Sequence, residues 1–494
     1  MLSGHPDESL SLLAAAREVP RQPALLVDGQ EHGFASLAPR VERCLAFLRA
    51  QPLAQEPWPR VALLADNRLE TALWLYALLE LGVTAVLLHP RLVASERAAL
   101  LADCRPALVL ADGGGEPLEA PGGSPVYPAP LAGPGGPSVH PAPPAGPGGP
   151  LAILYTSGTT GRPKGAMLSR RAFVAAAQAS AQNLGWQVDD RWLLCMPLAH
   201  VGGLSILTRC LIARRTVVLI GGACEPRAVA AAVQRDRVTL LSVVPTMLRR
   251  LLELTPRWTP PPHLRAVLLG GAAASAELLQ EAAARGVPVL TTYGLTEACS
   301  QVTTQRYGTP PAAAQGCGEP IAGLQLRIGE DGQLQVRAPT LFDGYWPPGP
   351  QALPLTEDGF FVTGDLGQLD AQGRLHILAR RTDLIVSGGE NIYPVEVEQA
   401  LERCPGVAAA GVVGVPDAEW GQQVVAAVVA AARPPSLSEL RQALRDRLAA
   451  YKHPRRLVLV PALPLNATGK LDRAALARAV VAALRASSPE PPSR

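Results

Sequence analysis

A loop rich in glycine and hydroxyl side chains follows residues 151–155, a short apolar run with the length of a buried strand. The loop reads Thr-Ser-Gly-Thr-Thr-Gly-Arg-Pro-Lys-Gly and occupies residues 156–165. Its backbone N–H groups and hydroxyls can surround phosphate oxygens, and its two cations can offset phosphate charge. It is not a Walker loop, because its lysine stands between a proline and a glycine. A plain glycine-rich hairpin is the alternative, but so many phosphate-compatible groups favour phosphate binding.

A second set of residues has the chemistry to bind the rest of a nucleotide. Glu297, beside Thr296, could hold Mg²⁺, which needs only one or two protein carboxylates besides phosphate oxygens and water. Asp365 follows a Thr-Gly turn, and its carboxylate is the acceptor that two ribose hydroxyls require. Gly270 and Gly271 follow an apolar run and allow a ligand to approach the backbone closely. Each pattern alone is more often a simple turn, so the interpretation depends on their occurring together.

The elements that must position these residues follow from the hydrophobic pattern. Short apolar runs alternate with helix-length amphipathic runs in residues 61–110 and again in residues 217–290. Among these runs, strands are predicted at Thr84–Leu88, Ala266–Leu269 and Pro288–Leu290, and a helix is predicted at Pro226–Arg235. This alternation predicts parallel α/β layers whose strands are buried on both faces. After about residue 320 the pattern becomes strand-rich and is interrupted by glycine and proline, as in a distorted β-barrel. The fold class is therefore predicted to be α/β.

The same patterns predict the domain boundaries. We expect an N-terminal domain at residues 1–381, built of parallel α/β layers and a distorted β-barrel, and a small mobile C-terminal α+β domain at residues 382–486. Residues 113–150 are dominated by glycine, proline and alanine and are predicted to form a linker within the large domain. Residues 487–494 are predicted to be a disordered tail.

Composition excludes several classes of function. The 494 residues include 45 basic and 42 acidic ones, a net charge of +3, and no basic patch suggests nucleic acid as a partner. No secretory signal is evident. The most apolar stretches, residues 73–89 and 424–432, are interrupted by Glu80 or fall well short of the roughly 20 residues of a membrane span. The eight cysteines are scattered without metal-ligand spacing, which favours reduced structural thiols. We expect a cytoplasmic protein without a membrane span, and a homodimer is left open.

The loop at residues 155–165 closely resembles the signature loop of the acyl-adenylating superfamily, which includes acyl-CoA synthetases, firefly luciferase and nonribosomal peptide adenylation domains. Five further motifs resemble those of the superfamily and occur in the right order. They are Tyr-Gly-Leu-Thr-Glu at 293–297, Thr-Gly-Asp at 363–365, Arg-Arg-Thr-Asp at 380–383, Ser-Gly-Gly-Glu-Asn at 387–391 and Pro-Leu-Asn-Ala-Thr-Gly-Lys at 464–470. The resemblance extends over essentially the whole chain and is very specific.

The resemblance implies a role for each matched residue. Catalytic roles fall to Lys470, His200, Glu297 and Thr296, and Mg²⁺ would be held by Glu297 with Thr156. ATP and coenzyme A would be bound by the following residues: Thr156, Ser157, Gly158, Thr159, Thr160, Gly161, Lys164, Gly270, Gly271, Ala272, Tyr293, Gly294, Thr296, Asp365, Arg380, Gly388 and Gly389.

The resemblance also implies a reaction in two halves. A carboxylate attacks the α-phosphorus of ATP, giving an acyl-adenylate and pyrophosphate, while Lys470 neutralises the developing charge. The C-terminal domain then turns about a hinge at Thr382, and the thiol of coenzyme A displaces AMP. His200, in the apolar stretch 197–205, would orient the acyl substrate, and Ala199 replaces the aromatic residue usual before it.

Further stretches of the sequence, several of them outside the nucleotide motifs, narrow the choice of carboxylic acid substrate. Residues 85–92, 183–185, 190–193, 197–205, 298–302 and 383–394 resemble the o-succinylbenzoate:CoA ligases of menaquinone biosynthesis. Two alternatives remain within the superfamily, namely a ligase for another aromatic or cyclic acid and an adenylation enzyme that loads a separate carrier protein. A degenerate nucleotide-binding protein is the non-enzyme alternative, against which the retained charged residues argue.

Overall fold

The computed structural model describes residues 8–53, 57–111, 126–127, 149–157, 163–220, 224–254, 258–271, 274, 276–309, 316–348, 353–379, 385–392, 394–431, 433–464, 471 and 473–486.

The described helices are, in chain order, α1 (Leu12–Glu18), α2 (Phe34–Arg49), α3 (Leu69–Leu81), α4 (Ala94–Cys104), α5 (Arg170–Leu184), α6 (Val201–Ala213), α7 (Pro226–Arg235), α8 (Pro245–Leu254), α9 (Ala276–Ala284), α10 (Pro394–Glu402), α11 (Leu437–Leu444) and α12 (Arg473–Ala486). Short 3₁₀ helices occupy Glu8–Leu10, Thr296–Ala298 and Ala450–Lys452. None of the helices within the described ranges is both long enough and apolar enough to cross a membrane.

The described strands are β1 (Pro23–Val27), β2 (Gln30–Gly33), β3 (Arg60–Leu64), β4 (Thr84–Leu88), β5 (Leu108–Leu110), β6 (Val126–Tyr127), β7 (Ala152–Ser157), β8 (Pro163–Leu168), β9 (Arg191–Leu193), β10 (Thr216–Leu219), β11 (Leu240–Val243), β12 (Ala266–Leu269), β13 (Val289–Leu295), β14 (Ser300–Thr304), β15 (Glu319–Pro320), β16 (Gln325–Ile328), β17 (Gln333–Arg337), β18 (Gly344–Trp346), β19 (Phe361–Leu369), β20 (Leu375–Ala379), β21 (Ile385–Ser387), β22 (Glu390–Ile392), β23 (Val407–Asp417), β24 (Gly421–Ala430) and β25 (Arg456–Leu459).

Local sequence signals fix several helix ends. The Ser169 hydroxyl accepts a hydrogen bond from the Ala172 N–H at 3.2 Å and caps the start of α5. Pro226 occupies the first turn of α7, where a missing N–H costs nothing. Gly82 ends α3 in the left-handed conformation with φ of 69°, which glycine adopts without strain. These ends confine the helices to the crossovers between parallel strands.

The chain divides into two compact units, which are described separately. The first comprises Met1–Pro90, Leu100–Thr156 and Gly165–Leu378, and the second comprises Arg91–Ala99, Ser157–Lys164 and Ala379–Arg494.

A nine-stranded sheet of the first unit positions the predicted site residues that follow β12 and those at the end of β13. Its order is β15-β14-β13-β12-β11-β9-β10-β1-β2, and the six strands from β13 to β1 are parallel. Because parallel strands end at the same edge of a sheet, the residues that follow β11, β12 and β13 lie side by side. The apolar faces of these strands are buried in two clusters of the hydrophobic core.

Two further sheets contain other strands of the site. One has the order β18-β8-β7-β4-β3-β5-β6, in which β8 pairs antiparallel with β18. The other has the order β16-β17-β19-β20, and its first three strands are antiparallel neighbours. This sheet lies in the segment predicted as a distorted β-barrel.

The second unit contains a five-stranded sheet. Its main path is β22-β21-β24-β23, and β25 pairs in parallel with β24. The helix α10 packs on this sheet, where Val397 and Leu401 are fully buried.

The predicted α/β class, with parallel layers and a small C-terminal domain, is confirmed. Thr84–Leu88, Pro226–Arg235 and Ala266–Leu269 have the bounds that the hydrophobic pattern predicts. The strand predicted at 288–290 is longer, because β13 continues to Leu295 as it pairs with β14. The predicted domain boundary at 381, most of the linker and the tail at 487–494 lie outside the described residues and stay predictions. Six of the eight cysteines are buried, and Cys224 and Cys317 are partly buried.

A buried ion pair joins the start of β9 to the start of β12. The Asp190 carboxylate, which is fully buried, accepts two hydrogen bonds from Arg265, at 2.8 Å from Nε and 2.6 Å from Nη2. The Thr239 hydroxyl and the Gln187 N–H donate to the same carboxylate, at 2.8 and 2.7 Å. Both charges are therefore satisfied within the protein, which a buried pair requires.

We expect Arg265→Ala to lower the free energy of unfolding by about 3–5 kcal/mol, because Asp190 would stay buried without its cation. Urea unfolding followed by circular dichroism measures the change. Arg306→Ala is the matched control, since it removes an arginine from an exposed pair with Glu319 and should cost far less. Equal losses in the two variants would contradict this interpretation.

Candidate active site

Strands β7 and β8 flank the predicted phosphate-binding loop. β7 ends with Thr156 and Ser157, and Lys164 is the second residue of β8. A Cβ atom on Gly165 would lie 2.7 Å from Cγ2 of Ile153, so any side chain at position 165 would force Ile153 in the neighbouring strand to move. The other predicted binding residues of the loop lie outside the described residues: Gly158, Thr159, Thr160 and Gly161.

Two glycines follow β12 at the carboxyl edge of the nine-stranded sheet. A Cβ atom on Gly270 would lie 2.7 Å from Cγ2 of Thr292 in the neighbouring strand. Gly271 has a φ of 77°, which favours glycine. The glycines therefore hold this turn against β13, and Ala272 lies outside the described residues.

The next strand ends in the predicted adenine and metal residues. In β13, a side chain at Gly294 would clash with the carbonyl oxygen of Ser300 in β14, so the turn between these strands needs a glycine. Thr296 and Glu297 form the 3₁₀ turn that follows.

The structure brings Tyr293 and Asp365 together across 72 residues of chain. The Tyr293 hydroxyl donates to Oδ2 of Asp365 at 2.6 Å, and Tyr293 is 4% exposed. Asp365 lies in β19, where its N–H donates to the Thr363 hydroxyl at 3.1 Å. The residues predicted to bind adenine and ribose are therefore neighbours, as one nucleoside would require.

Glu297 is buried, with 4% of its surface exposed. The Tyr345 hydroxyl donates to its Oε1 at 2.7 Å, and no cation pairs with it among the described residues. A carboxylate with lone pairs left over is a suitable ligand for a hard cation such as Mg²⁺. The Glu297 carboxylate therefore fits the predicted metal, and Thr156 stays the predicted second oxygen donor.

His200 is the N-cap residue of α6, and its ring centroid lies 5.3 Å from that of His89. Sequence patterns did not single out Asn67, which fixes the segment leading to His200. The Asn67 side-chain amide donates to the carbonyl oxygens of Leu194 and Met196 at 3.2 and 3.0 Å, and its Oδ1 accepts from the N–H of Leu198 at 3.0 Å. Three hydrogen bonds from one side chain hold this segment in place.

Gly388 and Gly389 form the turn between β21 and β22 in the second unit. Their φ values are 60° and 83°, in the left-handed region. The Gly388 N–H donates to the Trp420 carbonyl at 3.0 Å, and a Cβ atom on Gly388 would lie 2.8 Å from the indole ring. Arg380, Thr382 and Lys470 lie outside the described residues, so their predicted roles stay predictions.

The sequence interpretation missed Arg209, a buried cation on α6. Arg209 is 3% exposed, and its Nε and Nη2 have no hydrogen-bond partner in the described part of the chain. Burial lowers the pKa of the guanidinium to about 10, so the group stays charged at neutral pH. A single charged residue in the apolar sequence of α6 is the signal that could have revealed it.

No anion compensates Arg209 within the described residues. The thiols of Cys210 and Cys299 are the titratable groups whose charge would act on it. Burial raises the pKa of both thiols, so they are neutral at physiological pH. The Ser205 hydroxyl, one helical turn before Arg209, is also buried without a hydrogen-bond partner. Two adjacent turns of α6 thus carry buried polar groups without a hydrogen-bond partner in the described part of the chain.

Comparison with known proteins places this geometry in a family. The model of the AMP-binding enzyme family matches residues 12–346, and that of the AMP-binding enzyme C-terminal domain matches residues 396–470. The chain belongs to the AMP-binding enzyme family. A curated relative in this family, the 2-succinylbenzoate–CoA ligase of Bacillus licheniformis, is 38% identical over 428 residues, which are 83% of this chain and 88% of the relative.

Solved structures of AMP-binding enzymes are also similar to this chain. A double mutant of o-succinylbenzoate CoA synthetase (MenE) from Bacillus subtilis, bound with its product analogue OSB-NCoA, has a TM-score of 0.86 and 35% identity, and covers 94% of this chain and 97% of that chain. The same enzyme in complex with ATP and magnesium ion has a TM-score of 0.68 and 34% identity, and covers 94% of this chain and 98% of that chain.

We expect Asp365→Asn to raise the KM for ATP about 10- to 100-fold, because hydrogen bonds to a charged acceptor contribute about 1.5–3 kcal/mol. The amide still accepts a hydrogen bond from Tyr293, so the fold should persist and kcat should change little. Pyrophosphate release at varied ATP concentration measures KM. Asp358→Asn, at an exposed carboxylate, is the control and should leave KM unchanged. An unchanged KM in Asp365→Asn would exclude the ribose-binding role.

Proposed function

We propose that this protein is an ATP-dependent 2-succinylbenzoate–CoA ligase that acts in menaquinone biosynthesis. It would form an acyl-adenylate and then the CoA thioester, with ATP, Mg²⁺ and coenzyme A as its cofactor and co-substrates. The similarity to 2-succinylbenzoate–CoA ligases over nearly the whole chain supports this function. A cytoplasmic location and a homodimer stay predictions.

The observation that carries the choice of acid is Arg209. A buried guanidinium with two unsatisfied donors is costly. The Trp192 ring, 5.8 Å from it, satisfies neither donor, whereas an anion with matching hydrogen bonds would offset the cost. 2-Succinylbenzoate has two carboxylates, of which only one can be activated at a time. We propose that the carboxylate on the flexible side chain is activated and that the ring carboxylate stays charged and binds Arg209. A planar guanidinium suits this task, because it can donate to both carboxylate oxygens.

The remaining residues would divide the work of adenylation. Tyr293 and Asp365 would hold the adenosine, His200 would orient the acid, and Lys470 would offset charge as the carboxylate attacks the α-phosphorus. Bound Mg²⁺, held by Glu297 and Thr156, would neutralise charge on the triphosphate. Positioning and charge stabilisation account for most catalysis in such transfers.

A comparison of two acids in two enzyme forms tests the proposal. We expect wild-type enzyme to prefer 2-succinylbenzoate to 4-oxo-4-phenylbutanoate, which lacks the ring carboxylate. Arg209→Leu should lower kcat/KM for 2-succinylbenzoate about 30-fold or more, since truncating one partner of a buried charge pair costs about 2–5 kcal/mol. It should leave kcat/KM for the monocarboxylate nearly unchanged. CoA thioester formation, followed by chromatography, measures both.

Arg209→Lys is the matched control, because it keeps the charge and loses the planar fork, so an intermediate value is expected. Equal losses with both acids in Arg209→Leu would mean that Arg209 is structural. A preference for a monocarboxylic aromatic acid in the wild-type enzyme would instead favour a different acid:CoA ligase.

A further inference from the structure

Tyr345 makes the one hydrogen bond that the described residues offer to the Glu297 carboxylate. Its hydroxyl lies 2.7 Å from Oε1 of Glu297, although 48 residues separate the two in the chain. The backbone reinforces this contact, since the Phe342 N–H donates to the Glu297 carbonyl at 2.8 Å. The segment around β18 therefore holds both the main chain and the side chain of Glu297.

The Tyr345 ring is itself held rigidly. It packs edge-on against Phe342 with ring centroids 4.8 Å apart, and Phe342 packs in the same way against Phe361. The next residue, Trp346, donates from Nε1 to the Asp103 carbonyl at 3.1 Å. These contacts fix the phenol without help from Glu297, so the phenol can impose an orientation on the carboxylate.

The same strand is paired with the strand that follows the phosphate loop. In the β18–β8 ladder, Tyr345 is opposite Ala166 and Trp346 is opposite Gly165. The guanidinium of Arg60 lies 4.5 Å from the Trp346 ring and braces the end of β18. One short strand thus connects the last residue of the loop motif with the carboxylate of Glu297.

We propose that Tyr345 is a positioning residue that orients Glu297 for Mg²⁺. In the same proposal, β18 sets the spacing between this carboxylate and β8, the strand that follows the predicted phosphate-binding loop. The inference rests on the proposed role of Glu297 as the magnesium ligand. A phenol is neutral, so it occupies one lone pair of Oε1 without removing the negative charge that a cation needs. Hydrogen bonds of this kind to ligating carboxylates commonly decide metal affinity.

Calorimetric titration with ATP, in saturating Mg²⁺ and in EDTA, tests the proposal. The ratio of the two dissociation constants gives the metal-dependent gain in affinity. We expect Tyr345→Phe to reduce that gain about 10- to 100-fold, the usual effect of losing a hydrogen-bond partner of a metal ligand. The Mg²⁺ concentration for half-maximal pyrophosphate release should rise by a similar factor. Metal-free ATP affinity should stay as in the wild type, because the ring and its packing are kept.

Two further variants separate the possible outcomes. Tyr307→Phe removes a phenol that is 37% exposed and should leave both dissociation constants unchanged. Glu297→Gln should abolish most of the metal-dependent gain in ATP affinity. The double variant with Tyr345→Phe should show the same residual gain as Glu297→Gln by itself. A normal gain in Glu297→Gln would overturn the proposed metal ligand, and with it this inference. If Glu297→Gln loses the metal-dependent gain in ATP affinity but Tyr345→Phe keeps it, the inference about Tyr345 is overturned while Glu297 remains the metal ligand. A loss of metal-free ATP binding in Tyr345→Phe would make Tyr345 a structural residue and would also overturn it.

Discussion

The bond between the Tyr345 hydroxyl and the buried Glu297 carboxylate is the contact on which the candidate site depends. It fixes a negative charge at the carboxyl edge of a parallel sheet, and within the described residues no cation neutralises that charge. A buried carboxylate in this state is costly, so the fold must supply the free energy that holds it there. A nucleotide-bound cation would recover part of that cost on binding, which couples metal affinity to the architecture around β18.

Arg209 poses the same problem with the opposite sign. It is a buried guanidinium with two donors that find no partner in the described part of the chain. Asp190 and Arg265 show how the same unit satisfies charges that serve the fold alone, since that pair shares two short hydrogen bonds and two further donors. Pairing within the protein offsets the cost of burying a charge, and a buried charge left unsatisfied is available to a ligand. This contrast distinguishes structural from functional charges without reference to any relative.

Those features of the fold and of the candidate site that depend on local pattern can be predicted from the sequence. Pro226–Arg235 and Ala266–Leu269 follow from apolar periodicity and from a proline in the first helical turn. Glu297 and Asp365 follow from short motifs whose residue types suit a metal and a ribose. The contact between Tyr345 and Glu297 could not be predicted, because it arises when β18 pairs with β8, far away in the chain. Arg209 could have been suspected as a lone charge in an apolar helix, but its missing partners become visible only in three dimensions.

In the proposed reaction, a carboxylate attacks the α-phosphorus of ATP. The most direct measurement uses 2-succinylbenzoate with ¹⁸O in both oxygens of its aliphatic carboxylate, followed by mass spectrometry of the nucleotide product. Attack by this carboxylate transfers one ¹⁸O atom to each AMP, because the thiol later displaces AMP by breaking the acyl C–O bond. Formation of ADP with ¹⁸O in inorganic phosphate, or of AMP without the label, would contradict attack of this carboxylate on the α-phosphorus.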